Sequence, residues 1–525
     1  MVHAQKLLFS ALLAAASIVV PASAADQVLN VTFAADLTSS TGLDIAIGVL
    51  NLTLGGRVHK AVPFEKPCFS TYEGKRNTGN YTDPTWRVNN FGAYMLPQWE
   101  TCQSSTSTEG CLLDSANASN PLAINGHNCQ LGNIPPYYIQ VASPFDVQTA
   151  LVFSAVTGMR LSVKNKGHDY KGRSSGKGTL SLWMTGLRKM SHDAKFTPEL
   201  CYGKHYDAIT VQTGAFTQDV LKFADSVNRT VIAGYHQTIG FSGGYVLGGG
   251  HSILSNKYGL AVDRVVQFKV VTPDGIYRTA NECQNKDLFF ALRGGGGSAF
   301  GVVIESSHKV EPRFPIQAAV LKFTPKASTD IANWYELMVN ESYHWAVEGW
   351  GGHIVGPTLI HVNPDLNTTE AVASMANAAA FVNARNGSVV IKQYDSYLDF
   401  FNTVVPAAQA AVGPELELGT RLIPTKFFNT TDGRAALTSV IKETLPFASP
   451  YIVVGTPFNF QATPGATSNE GDVYEPNHEQ SYWGDNYAKL LQVKRKYDYA
   501  NLIDCWQCVG WKGPSDPLYQ CHVKL

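Results

Sequence analysis

At 525 residues, with 44% hydrophobic and 16% charged side chains, the chain is long enough for several domain-sized units and too apolar to stay disordered. Its formal net charge of −1 provides no global field that would draw nucleic acid or anionic lipid, so a polyanion partner is not expected.

Residues 1–24 read as a secretory signal. Lys6 is the positive n-region, Leu7 to Val20 the apolar stretch, and Ala22-Ser23-Ala24 the small-residue cleavage site. The apolar run is shorter than the ~20 residues a membrane span needs and stops at Pro21. A soluble, secreted protein starting near Ala25 is expected. Asn-x-Ser/Thr sequons at Asn30, Asn51, Asn80, Asn117, Asn228, Asn340, Asn367, Asn386 and Asn429 agree with export and glycosylation. So do the nine cysteines, which are disulfide material outside the cell. Four fall between Cys68 and Cys129 and three between Cys505 and Cys521, clusters that could staple the chain ends, while the odd count leaves one over. Cys505-x-x-Cys508 has no second ligand pair at zinc-finger spacing and no βαβ unit beside it, so we expect structural disulfides and no metal.

Residues 25–132 carry few helical signals and read as an irregular, disulfide-tied lead-in. From residue 133 the character changes. Ser143-Pro144 is an N-cap with proline at the first helical position, and Gly158 is a stop. Arg160 to Lys164 alternates as a strand. Strand Ile209 to Val211 and helix Thr217 to Val227 follow, and then a glycine-rich segment. Val265 to Val271, the turn Thr272-Pro273-Asp274-Gly275, and Ile276 to Arg278 form a hairpin. After Pro312 glycines thin out and aromatics rise, which places a domain boundary between 133–312 and 313–470. An amphipathic helix from Asp485 to about Tyr497 lies in the last segment, 471–525, and returns to the first domain. Such mixed strands and helices indicate an α+β architecture.

Three glycine-rich stretches carry the chemistry. The first runs Asn165-Lys166-Gly167-His168-Asp169-Tyr170 and on to Gly172-Arg173-Ser174-Ser175-Gly176. The second runs from Gly234 through His236, Thr238, Gly240, Gly243, Gly244 and Tyr245 to Gly248-Gly249-Gly250. The third is Arg293 to Gly301. Glycines bring bare backbone N–H groups close to a ligand, and three such stretches, each expected to follow a strand, point to a large anionic cofactor such as a pyrophosphate. Neither a Rossmann fingerprint nor a P-loop is present.

The Gly167-His168-Asp169-Tyr170 run resembles the FAD domain of vanillyl-alcohol-oxidase-type flavoproteins, and more narrowly the fungal secreted branch of the berberine-bridge-enzyme-like oxidases. The Thr238-Ile239-Gly240 loop, Asp287 to Gly297, and the Tyr482-Trp483-Gly484-Asp485-Asn486 helix start share that resemblance. The resemblance implies a two-subdomain FAD-binding domain plus an α+β substrate domain carrying an antiparallel sheet. It further implies FAD contacts from Asn165, Lys166, Gly167, His168, Asp169, Tyr170, Ser174, Gly234, Thr238, Gly240, Gly243, Gly244, Tyr245, Val303 and Asn486, and a covalent flavin through His168. Where the doubly tethered subgroup has cysteine, this chain has His236, so a single tether is expected.

The implied activity is oxidation of a small alcohol-type molecule (a carbohydrate, phenol or secondary metabolite) with O2 as acceptor, by a monomer. His236 and Tyr482 are the candidate catalytic residues; His353, His361 and Tyr343 are further candidates for the base by residue type alone. A dehydrogenase with another acceptor, or a weakly active flavin-carrying glycoprotein, is the alternative the same residues allow.

Overall fold

The computed structural model describes residues 40–69, 81–105, 109–114, 116–117, 119–120, 122, 129–408, 413, 415–448, 450–454 and 471–524. The expected signal segment and the sequons at Asn30 and Asn80 lie outside the described residues.

The first sheet has four strands, β1 (Val58–Lys60), β2 (Tyr137–Gln140), β4 (Leu180–Trp183) and β3 (Leu161–Lys164), in the order β1-β2-β4-β3. β4 runs parallel to both β2 and β3, while β1 is antiparallel to β2. The segment joining β2 to β3 is helix α2 (Pro144–Thr157), and it forms as its punctuation predicts. Ser143 is the N-cap, the Asp146 carboxylate accepts from the N–H groups of Ala142 and Ser143, and Gly158 ends the helix at φ 75°. Its buried face, Val147, Ala150, Leu151 and Phe153, packs on β2, β4 and on α1 (Ser40–Thr53). Helix α1 corrects the expectation of an irregular lead-in. Ala46, Ile47, Val49 and Leu50 are scattered among Thr, Gly and Asn, yet the shared apolar cluster stabilises them as a helix.

The second sheet is antiparallel, β5 (Met190–Phe196), β6 (Tyr206–Gln212), β10 (Val302–Lys309), β8 (Val265–Val271) and β9 (Tyr277–Asn281), in that order. The expected hairpin is β8–β9, closed by Thr272 N–H to Ile276 O at 3.0 Å with Gly275 at φ 80°. Helix α3 (Thr217–Ser226) follows β6, and β7 (Arg229–Thr230) pairs with β11 (Glu311–Pro312). The third glycine stretch follows helix α4 (Lys286–Leu292), not a strand as expected.

The third sheet, antiparallel, begins at Ile316: β15 (Ser388–Tyr394), β12 (Ile316–Lys322), β14 (Thr358–Asn363), β13 (Gly351–Val355) and β16 (Tyr451–Val454), in that order. Helix α5 (Asp330–Val347) packs on it through Trp334, Tyr335, Met338 and Trp345. Another apolar cluster joins this sheet to the rest of the molecule. Val231, Ile232 and Ala233, immediately before the second glycine stretch, meet Ile316, Ala318, Ile360 and Tyr397 there. Helices α+β in this mixture bear out the expected class. Helix α6 (Tyr487–Tyr497) starts two residues later than anticipated, after a 3-10 turn at Gly484–Asn486.

Four disulfides form: Cys102–Cys521, Cys111–Cys129, Cys201–Cys283 and Cys505–Cys508; Cys68, buried, belongs to none of them. Cys102–Cys521 ties the ends together across 419 residues of chain. Closing so long a loop restricts the unfolded ensemble strongly, so the Cys102→Ser, Cys521→Ser double variant should lose roughly 3–5 kcal/mol of stability, read from denaturant midpoints. A midpoint unchanged from wild type would show that the tie is thermodynamically idle.

Candidate cofactor site

The first glycine stretch leaves β3 and turns at Gly167, whose φ is 75°. Three lysines anchor it from inside. Lys164 donates to the carbonyls of Phe91 and Ala93, Lys166 to Thr185 Oγ1 at 2.6 Å, and Lys171 to the Tyr482 hydroxyl at 2.6 Å and Gln507 Oε1 at 3.1 Å. All three are buried, and burial brings their amines down to about 7, 6 and 6 respectively. Asp169 caps its own loop by accepting from the N–H groups of Lys171 and Arg173 and pairing with the Arg173 guanidinium. The Tyr170 carbonyl accepts from Trp99 Nε1 at 3.1 Å.

The second stretch is pinned to the start of α3: Thr217 N–H donates to Ile239 O and Phe241 N–H to Ala215 O. Here the two stretches touch. Asn165 donates from Nδ2 to Thr213 O at 2.5 Å, and its amide sits close against Gly240 and Gly243. A Cβ on Gly240 would sit 2.2 Å from Asn165 Nδ2, and one on Gly243 2.5 Å from it. Gly240 has ordinary backbone angles, φ −73°, so glycine is demanded by the close approach alone. His168 Nε2 lies 2.8 Å from Thr238 Oγ1, and the His168 and His236 rings are 4.8 Å apart. Burial, helped by His236, holds the His168 imidazole well below the ordinary histidine range, so it is neutral at neutral pH.

The third stretch meets the second. Leu247 O accepts from Gly294 N–H at 3.1 Å and Gly296 N–H at 3.0 Å, and a Cβ on Gly297 would lie 3.2 Å from Gly244 Cα. The C-terminal segment closes over it: Trp483 Nε1 donates to Gly294 O at 3.1 Å, and Cys505 Sγ is 3.4 Å from Gly297 O. Neither contact was visible in the sequence. Val303 on β10 is buried with Val246 and Leu247 behind the second stretch, and the Tyr245 hydroxyl donates to His251 O at 3.0 Å while its ring borders Gly234 and Gly250. Asn486 is exposed at the start of α6.

Of the two candidate catalytic residues, His236 stands beside His168, whereas the Tyr482 hydroxyl is engaged by Lys171, by Gln507 Oε1 at 3.0 Å and by Asp472 O at 2.8 Å. Tyr343 lies on α5. His353 and His361 lie inside the third sheet, His361 against Trp345, with burial taking both imidazoles down to about 3; neither is tuned as a general base.

These residues fit a flavin nucleotide. Three glycine segments present close-packed backbone, and Asn165 Oδ1 and Ser174 Oγ are buried there without a hydrogen-bond partner among the described residues. Gly240→Ala should force Asn165 off Thr213 O, and the flavin-to-protein absorbance ratio of the purified variant should fall at least ~tenfold, the effect of leaving a buried amide unsatisfied. An unchanged ratio would contradict the packing described.

The comparisons agree with this geometry. Residues 135–281 match the FAD binding domain family, and residues 468–505 match the berberine and berberine-like family. FAD-linked oxidoreductase ffsJ of Aspergillus flavipes is 34% identical, over 88% of this chain and 92% of its own. FAD-linked oxidoreductase phmC of Phaeosphaeria nodorum is 38% identical, over 78% and 90% respectively. In fold, the chain resembles the VAO-type flavoprotein MtVAO615 of Myceliophthora thermophila, with a TM-score of 0.71, 23% identity and coverage of 91% and 96%. It also resembles the glucooligosaccharide oxidase of Acremonium strictum, described with a 6-S-cysteinyl, 8α-N1-histidyl FAD, with a TM-score of 0.57, 17% identity and coverage of 72% and 92%. The chain belongs to the FAD-linked oxidoreductases of the vanillyl-alcohol-oxidase and berberine-bridge-enzyme type. It is an FAD-dependent enzyme.

Proposed function

We propose that this protein is a secreted, glycosylated oxidase of a small alcohol-type molecule, using O2 and holding its FAD covalently through His168 alone. The observation that carries the reading is the meeting of the first two glycine stretches at a neutral His168, the third stretch packing on the second, with His236 where a second, thiol tether would need cysteine. When bound, FAD would supply the redox chemistry, hydride acceptance and electron transfer to oxygen, held by the glycine stretches and His168. The chain's part is placement. The glycine stretches within 133–312 and the C-terminal segment from 471 would grip the cofactor, and the part of the chain carrying the third sheet would be the substrate domain. His236 is the proton-handling residue at the site, and Tyr482 supports Lys171 behind it. Exposed sequons at Asn228, Asn340, Asn367, Asn386 and Asn429 and four disulfides support export, and among the described residues no helix is long and apolar enough to cross a membrane.

The test is an absorbance scan near ~450 nm on protein purified from culture medium, then peroxide measurement across alcohols, phenols and sugars. Peroxide formed in step with substrate is expected. Reduction of an artificial dye without peroxide would make the protein a dehydrogenase, and no turnover of any kind a flavin carrier.

A further inference from the structure

Two histidines and one threonine at the meeting point of the first two stretches form a chain of hydrogen bonds whose direction can be worked out. Thr238 donates its backbone N–H to His236 Nδ1 at 3.2 Å. A backbone amide can only donate, so His236 Nδ1 carries a lone pair and no proton. Thr238 Oγ1 lies 3.0 Å from that same Nδ1. Two lone pairs facing each other at that separation repel, so the hydroxyl hydrogen lies between them and the threonine donates to His236. Thr238 has spent its only hydroxyl hydrogen and can then meet His168 Nε2, 2.8 Å away, only as an acceptor. His168 must supply the proton of that bond from Nε2.

We propose that Thr238, aligned by His236, is a positioning residue that fixes His168 as its Nε2–H tautomer and leaves Nδ1 as the bare nitrogen. A neutral imidazole has one of each, and which is which is set by the partner of the other nitrogen. Burial and the His236 ring keep the second proton off His168, so the assignment holds at neutral pH. His236 thus has a use specific to this chain: it is the fixed acceptor that orients the threonine. Bonding of Nδ1 to the flavin 8α carbon would break one methyl C–H bond and release the Nε2 proton, the two electrons left on the flavin passing to O2, the acceptor proposed above, as peroxide.

The inference rests on the tethered-flavin reading, and the experiment separates the two. Wild type, Thr238→Ser and Thr238→Val are digested, and NMR of the released flavinyl peptide identifies the attached nitrogen. Attachment through Nδ1 alone is expected in wild type and in Thr238→Ser, which keeps the hydroxyl. Thr238→Val should give both isomers, or an attached fraction reduced at least ~tenfold, corresponding to about 1.4 kcal/mol. Attachment through Nε2 in wild type, or Nδ1 alone at full yield in Thr238→Val, would overturn the proposal. If wild type releases all its flavin in acid, the tether fails instead. Two-bond proton–nitrogen correlations on histidine-labelled protein carrying no attached flavin then read the tautomer directly: an Nε2–H form of His168 sustains the relay, and an Nδ1–H form refutes it.

Discussion

His168→Ala is expected to remove acid-stable flavin completely. Acid-precipitated wild type should carry yellow, fluorescent cofactor in the pellet, and the variant's pellet should be colourless with any flavin in the supernatant. A nucleophile must be unprotonated to act, and the burial of His168 beside His236 provides that at neutral pH. The other candidate histidines should not substitute. His353 and His361 are locked in the third sheet, and His236 has its Nδ1 occupied by Thr238. Circular dichroism and the thermal midpoint of the variant should stay close to wild type, since His168 contributes one side-chain hydrogen bond, a loss of about 1 kcal/mol. A fluorescent pellet from the variant would assign the tether elsewhere, and a colourless one from wild type would leave the flavin non-covalent.

Arg87→Met should be the most damaging single change to stability. The Arg87 guanidinium is fully buried, donates to the carbonyls of Tyr94 at 2.7 Å and Tyr81 at 2.9 Å, and pairs with the carboxylates of both Glu65 and Glu100. Methionine fills the space but leaves two buried carboxylates facing each other without a cation, a cost of roughly 3–5 kcal/mol. The loss is pH-dependent with a definite sign. Burial and Glu100 already push the Glu65 carboxyl well above its ordinary value in the wild type, against the pull of Arg87. Without Arg87 both carboxyls rise further, so the folded state holds protons that the unfolded state has released. Stability then falls as pH rises through the folded values, and the gap to wild type should be wide at pH 8 and narrower at pH 5. Denaturant midpoints at the two pH values check this; a gap that widens in acid would refute the argument. The damage should reach the cofactor, because this network underlies the first glycine stretch. Met95 N–H donates to Gly167 O at 2.9 Å, and Lys164 is held by Phe91 and Ala93.

The parts of this fold that could be read in the sequence are those whose determinants are local. Ser143-Pro144 and Gly158 mark both ends of α2, Pro273-Asp274-Gly275 marks the β8–β9 turn, and the apolar spacing after Asp485 marks α6. Helix α1 was missed because its apolar residues gain their order from α2, about a hundred residues away in the chain. At the site, glycine density located all three stretches, but not the fact that the third leaves a helix. Their mutual contacts, Asn165 against Gly240 and Leu247 against Gly294 and Gly296, have no local signature. The Lys166 amine donates to Thr185 Oγ1 and lies over the Phe216 ring, contacts that only tertiary packing decides. Gln507 and Arg87 went unnoticed for the same reason, since a polar residue gives no sign in one dimension of what it will face in three.

The bond between Cys102 and Cys521 also sets an order of events in the making of the enzyme. Lys171 waits for Tyr482 and Gln507, and Gly294 waits for Trp483, so a nascent polypeptide still threaded through the ribosome has an open, half-built cradle. Closure of the cradle is therefore expected only after the C-terminal segment has been made. A message truncated near its 3′ end would yield a colourless protein even though every glycine of the cradle had been made.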